Sequence, residues 1–200
     1  MSGNDETSKN ETSEKERHHH GRKSTESFLN IELILKEINA QIGQTVLDAG
    51  CGNGYMSKVF SKEVTDSGKV YALDPNTEFI EVLRKETQGT NIETIVGDIT
   101  KPTQIDQSSV DLIYLSGVIH RFSKQQMIGF LREAERLLKP NAMLAIVEIE
   151  KKETSFGPPL NMRLTPEDLR DIIPLVPLNT VQVGEHFYLQ IFKNKKKKES

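Results

Sequence analysis

Short apolar runs alternate with amphipathic stretches along most of the chain. TVLDAG (Thr45–Gly50), KVYALD (Lys69–Asp74), NIETIVGD (Asn91–Asp98), VDLIYLSG (Val110–Gly117) and MLAIVEIE (Met143–Glu150) are rich in Val, Ile and Leu and bounded by turn residues. Such runs read as strands buried on both faces, as in a parallel sheet. Between them apolar residues recur at three- and four-residue steps: Phe28, Ile31, Leu35 and Ile38; Met56, Val59 and Phe60; Phe79, Val82 and Leu83; Met127, Phe130, Leu131, Ala134 and Leu138. That spacing gives each segment one apolar helical face.

The punctuation between these segments agrees with the pattern. Ser27 and Thr77 read as helix caps, and Ser123 with Gln126 forms a capping box. Asn141, after Pro140, suits a left-handed helix stop. Residues 99–109 have little periodicity, and Lys151–Leu164, with its Gly157-Pro158-Pro159, reads as an irregular loop. Thr165-Pro166 opens a short helix that Pro174 interrupts. TVQV and HFYLQIF are separated only by Gly184-Glu185, a hairpin signal. Alternation closed by a hairpin predicts an α/β fold: a doubly wound, seven-stranded, mainly parallel, Rossmann-like sheet with an antiparallel C-terminal hairpin strand.

Composition changes this picture mainly at the ends. Hydrophobic residues make up 36% of the 200, enough for one domain with a core, expected over residues 27–193. Residues 1–26 are polar and charged and are expected to be disordered, because they have too little apolar surface to offset ordering. Residues 194–200 form a basic tail that reads as a solvated end. The net charge of −3 argues against a nucleic-acid acceptor. The single cysteine, Cys51, excludes a disulfide framework and reads as a packing residue. No membrane span or signal peptide is evident, so a cytoplasmic setting is expected.

The chemistry concentrates after the first strand, in Asp48-Ala49-Gly50-Cys51-Gly52-Asn53-Gly54-Tyr55. In a doubly wound sheet, ligands sit at the carboxyl ends of the strands, and glycines there let a ligand approach the backbone. A dinucleotide fingerprint needs its third glycine at position 55, where Tyr55 stands, which argues against a nicotinamide dehydrogenase. A phosphate loop needs a following Gly-Lys-Ser/Thr, which is missing.

Asp-x-Gly-x-Gly-x-Gly resembles motif I of class I S-adenosylmethionine-dependent methyltransferases. The resemblance extends to Asp74 ending the second strand, to Asp98 in GDIT, to VDLIYLSGVIHRF and to LKPNAMLAIVEIE. It covers residues 27–193 and is strongest to the type 11 branch, which includes the menaquinone and ubiquinone methyltransferases. It implies S-adenosyl-L-methionine as cofactor, held by Asp48, Gly50, Gly52, Asn53, Gly54, Asp74, Pro75, Asp98, Ile99 and Ser116. Asp74 would take the ribose hydroxyls and Asp98 the adenine amino group. Asp111 reads as structural.

A methyl sulfonium is already activated, so no metal is expected. The protein must align a nucleophile and exclude water. On the acceptor side His120 is the candidate catalytic base. Glu148, Arg163 and His186 are further candidates, and the segment holding His18–His20 and Arg22 is a candidate lid. Short segments after strands four and five favour a small-molecule acceptor. The alternatives are a methyltransferase of RNA or protein and a non-catalytic S-adenosylmethionine-binding protein.

Overall fold

The computed structural model describes residues 25–194. The N-terminal polar segment, with its His18–His20 run and Arg22, and the lysine tail lie outside these residues. The strands are β1 (Thr45–Ala49), β2 (Lys69–Asp74), β3 (Ile92–Val96), β4 (Val110–Ser116), β5 (Leu138–Ile149), β6 (Val176–Gly184) and β7 (Phe187–Lys193). The helices are α1 (Ile31–Ile38), α2 (Tyr55–Val64), α3 (Thr77–Glu86), α4 (Lys124–Leu137) and α5 (Pro166–Ile172).

The seven strands lie in the order β3-β2-β1-β4-β5-β7-β6. β7 runs antiparallel to both of its neighbours, and the other pairings are parallel. The order reverses between β1 and β4, so a crevice opens at the carboxyl tips of those two strands. The expected fold class is observed.

The period-two alternation of the strands divides the core. Leu47, Ile113, Leu115 and Ile146 face the side covered by α4 and α5. Val46, Leu112, Tyr114, Ala145 and Val147 face α1 and α2.

Several local expectations shift. α1 is capped by Asn30, whose side chain accepts from the Leu33 amide, not by Ser27. Its buried residues are Ile34 and Ile38. α3 is capped by Asn76, one residue before Thr77, and buries Ile80 and Leu83, while Phe79 and Val82 are exposed. One residue of register turns a helix by about 100°, enough to exchange neighbouring faces. Asn141 does adopt φ 62°, but within β5. The helix stops at Leu137, and the next residue, Leu138, both caps it and begins β5.

The non-periodic segment before β4 is held by a buried carboxylate. Glu133 of α4 accepts from the Thr103 amide and hydroxyl at 2.8 and 2.7 Å and from Arg136 at 2.6 Å. Burial alone would raise its pKa, but the Arg136 and Thr103 hydrogen bonds outweigh this and hold it below the ordinary value. A depressed pKa gives stability that is present above the unfolded carboxyl's pKa and lost as pH falls. Glu133→Ala is therefore expected to destabilise by about 2 kcal/mol at neutral pH. The gap to wild type should narrow on acidification, as read by thermal melts across pH. A pH-independent gap would contradict this account.

Candidate active site

The loop from Gly50 to Gly54 joins β1 to α2 at the crevice. The Gly50 and Cys51 amides both donate to Leu73 O, at 2.7 and 3.1 Å, which fastens the loop to the tip of β2. Gly52 N–H donates to Asp74 Oδ2 at 3.0 Å, and Gly54 N–H turns back to Cys51 O. The Tyr55 amide is capped by Asn53 Oδ1 at 3.1 Å, where the exposed Asn53 opens α2. The loop's amides are thus largely engaged by the protein itself. They do not form the ring of free N–H groups that cradles a phosphate.

The three glycines have separate reasons. All have positive φ. A Cβ at Gly50 would overlap Val118, and one at Gly54 would overlap Leu83 of α3, so both admit close packing of the protein on itself. At Gly52, with φ 53°, an added Cβ meets nothing within 4 Å. Of the three, only Gly52 turns toward open space.

The acidic residues also divide. Asp74 is buried and spans two backbone amides, Gly52 through Oδ2 and Asn76 through Oδ1 at 2.8 Å. Each of its oxygens retains a further lone pair for a ligand. Pro75, next along the chain, is exposed. Asp48 is buried behind the loop and accepts from Ser57 Oγ of α2 at 2.6 Å, an arrangement that braces β1 against α2. Asp98 lies in the turn after β3, accepts from the Thr100 amide and hydroxyl at 2.9 and 2.7 Å, and is followed by the buried Ile99. The Cys51 thiol is pushed far up by burial and by the charges of Asp48 and Asp74. It therefore remains a neutral packing group.

The other wall comes from β4 and β5. Ser116 ends β4, and its Oγ is buried without a hydrogen-bond partner among the described residues. Two candidates that stand far apart in the sequence meet here. His120 Nδ1 lies 2.8 Å from Glu148 Oε2, and the His120 amide lies 3.4 Å from Glu148 Oε1. Their side chains are 6% and 1% exposed.

Arg163 has a different task from the one expected. Its guanidinium donates to the carbonyls of Pro158, Glu150, Lys152 and Phe156 and to Thr154 Oγ1, which engages all five N–H groups. It locks the loop after β5 and has no donor left for a ligand. His186 sits in the β6–β7 turn against Phe156, with ring centroids 5.7 Å apart, and its Nε2 lies 3.7 Å from Glu185 Oε1. Asp111 is structural, accepting from the Thr45 amide and Lys139.

Comparison with known proteins supplies the missing context. A methyltransferase-domain family model matches residues 46–141. The solved structure of an S-adenosylmethionine-dependent methyltransferase from Aquifex aeolicus superposes with a TM-score of 0.75 at 28% identity, covering 90% of this chain and 97% of that one. Residues 46–141 thus form a methyltransferase domain, and the fold is that of the S-adenosylmethionine-dependent enzymes.

Other members are similar in part. A demethylmenaquinone methyltransferase from Lactobacillus johnsonii is 27% identical over 119 residues, 58% of this chain and 48% of that protein. A protein-L-isoaspartate O-methyltransferase from Methanococcus maripaludis is 34% identical over 89 residues, 43% and 42% of the two chains. The chain thus spans less than half the length of either curated relative. The type 11 resemblance expected from sequence is present in these matches.

The family's cofactor is S-adenosylmethionine, and the crevice fits such a group on three observations. Ser116 presents a buried hydroxyl lacking a partner. Gly52 faces open space. The loop offers a buried carboxylate, Asp74, in place of free amides, which suits a cation bearing hydroxyls better than a phosphate. Two features of the crevice were hidden in the sequence: the Ser57 brace on Asp48, and the packing of Val118 and Leu83 on the glycines. Both are contacts between elements, with no mark at either partner's position in the chain.

Proposed function

We propose that this protein transfers a methyl group from S-adenosylmethionine to a small-molecule acceptor. The observation that carries the reading is Asp74, buried at the tip of β2 and fixed by two backbone amides beside the open face of Gly52. Bound there, S-adenosylmethionine supplies a methyl carbon already activated by its sulfonium. Asp74 holds the ribose hydroxyls, the glycine loop takes the methionine part, and Asp98 with Ile99 borders the adenine. Ser116 donates or accepts at the buried side. On the opposite wall His120 receives the acceptor's proton. The short turn after β4 and the Arg163-locked loop after β5 leave a compact acceptor site among the described residues, which favours a small molecule over a polymer.

The test is calorimetric titration with S-adenosylmethionine, with NAD as control. Wild type should bind the former alone. Asp74→Ala should weaken that binding at least tenfold, because charged hydrogen bonds to the ribose are lost and the glycine loop loses an anchor. Unchanged affinity would remove Asp74 from the site, and binding of NAD instead would overturn the reading.

A further inference from the structure

We propose that Glu148 is the positioning residue that makes His120 a one-sided base, and that the acceptor is a neutral hydroxyl or thiol. This rests on the methyl-transfer reading above. An ionised carboxylate only accepts hydrogen bonds, so Nδ1 of His120, 2.8 Å from Oε2, must carry a proton. The His120 amide, 3.4 Å from Oε1, also points a donor at the same carboxylate. One side chain therefore grips both the ring and the backbone of one residue, which fixes the ring plane and its tautomer together. With the proton on Nδ1, the lone pair is on Nε2, which has no hydrogen-bond partner among the described residues.

The surroundings keep Glu148 committed to this pairing. It is 1% exposed and forms no ion pair with Lys or Arg among the described residues. Across the strand pair stands Tyr188, whose hydroxyl is engaged by Leu164 O at 2.8 Å. Burial, and then the Glu148 charge, push the Tyr188 phenol upward, so it stays neutral and does not compete as an acid.

The chemistry then selects the acceptor. A lone pair held this firmly serves a nucleophile that must lose a proton as it attacks: X–H gives its proton to Nε2 while X bonds to the methyl carbon. The carbon–sulfur bond breaks, and its electron pair stays on sulfur. The resulting imidazolium is balanced by the Glu148 carboxylate until its proton leaves to solvent. An anionic acceptor needs no base and is disfavoured by a buried carboxylate at this range.

The tautomer is measured by long-range ¹⁵N–¹H NMR on the full-length protein at neutral pH. His120 should show Nδ1–H with no Nε2–H. Glu148→Asp should keep that pattern, and Glu148→Gln, whose amide can donate to Nδ1, should shift the population toward Nε2–H. An Nε2–H or doubly protonated ring in wild type overturns the pairing. So does a wild-type pattern in Glu148→Gln.

Methyl-labelled S-adenosylmethionine is then supplied with a small-molecule cell extract. Label in an O-methyl or S-methyl product supports the acceptor class. Label in an N-methyl or carbon-bound methyl product, or in none, overturns it. Because the NMR pattern does not depend on cofactor, an intact Nδ1–H signal with no calorimetric binding would sink the methyl-transfer reading and leave the pairing standing.

Discussion

Gly52→Val is expected to weaken S-adenosylmethionine binding by at least about 100-fold, or ~2.7 kcal/mol, while the protein remains folded. The two halves of this statement have separate grounds. Valine at φ 53° is strained by roughly 1–2 kcal/mol. No protein atom lies within 4 Å of the new Cβ, so no overpacking adds to that strain. Its branched side chain would instead fill space that the proposed cofactor needs. Gly54→Val is the contrast, since its Cβ would run into Leu83 and disturb the α3 packing. Calorimetry and thermal melts on both variants separate the effects. If Gly52→Val binds as wild type does, the cofactor does not lie over the loop.

Arg163→Leu is expected to lower stability by about 3 kcal/mol or more, seen as a fall in melting temperature of ~6–12 °C for a domain of this size. Leucine keeps the buried bulk but leaves five acceptors without their donor, four of them carbonyls of the 150–158 segment. Arg163→Lys should rescue little, because an ammonium has three donors and no planar fork. Hydrogen exchange should rise first in residues 151–164, ahead of the sheet. A change of melting temperature under about 2 °C would show that water replaces the guanidinium at no loss.

The sheet could be read from the sequence because each strand carries its own signal. Apolar density marks the interior strands, and Gly184-Glu185 marks the hairpin that sets β7 antiparallel. The capping box at Ser123 and the helix start at Thr165 could be read because their signals lie within one turn, and the structure adds a second capping box between Thr165 and Asp168. Where two cap formers adjoin, as in Asn76-Thr77, local preference does not choose between them, and the choice sets which residues of α3 face inward.

Candidate residues could be picked from the sequence one by one, but not the contacts between them. His120 and Glu148 lie 28 positions apart, and their meeting depends on β4 pairing with β5 in a register that neither strand specifies alone. Arg163 looked free for a ligand because backbone carbonyls, its true partners, have no letter in a sequence.

Leu138 both closes α4 and opens β5, so helix and strand share a residue with no slack between them. On the other side of the crevice, two amides tie the glycine loop to Leu73. The glycine loop and the loop after β5 are thus fastened separately, whereas the turn after β4 touches the glycine loop directly, through Val118 at Gly50. Segment 151–164 could then be rewritten without disturbing the glycine loop, while any change in 117–122 must keep Val118 seated against Gly50. Such a division marks segment 151–164 as the place to graft a different specificity.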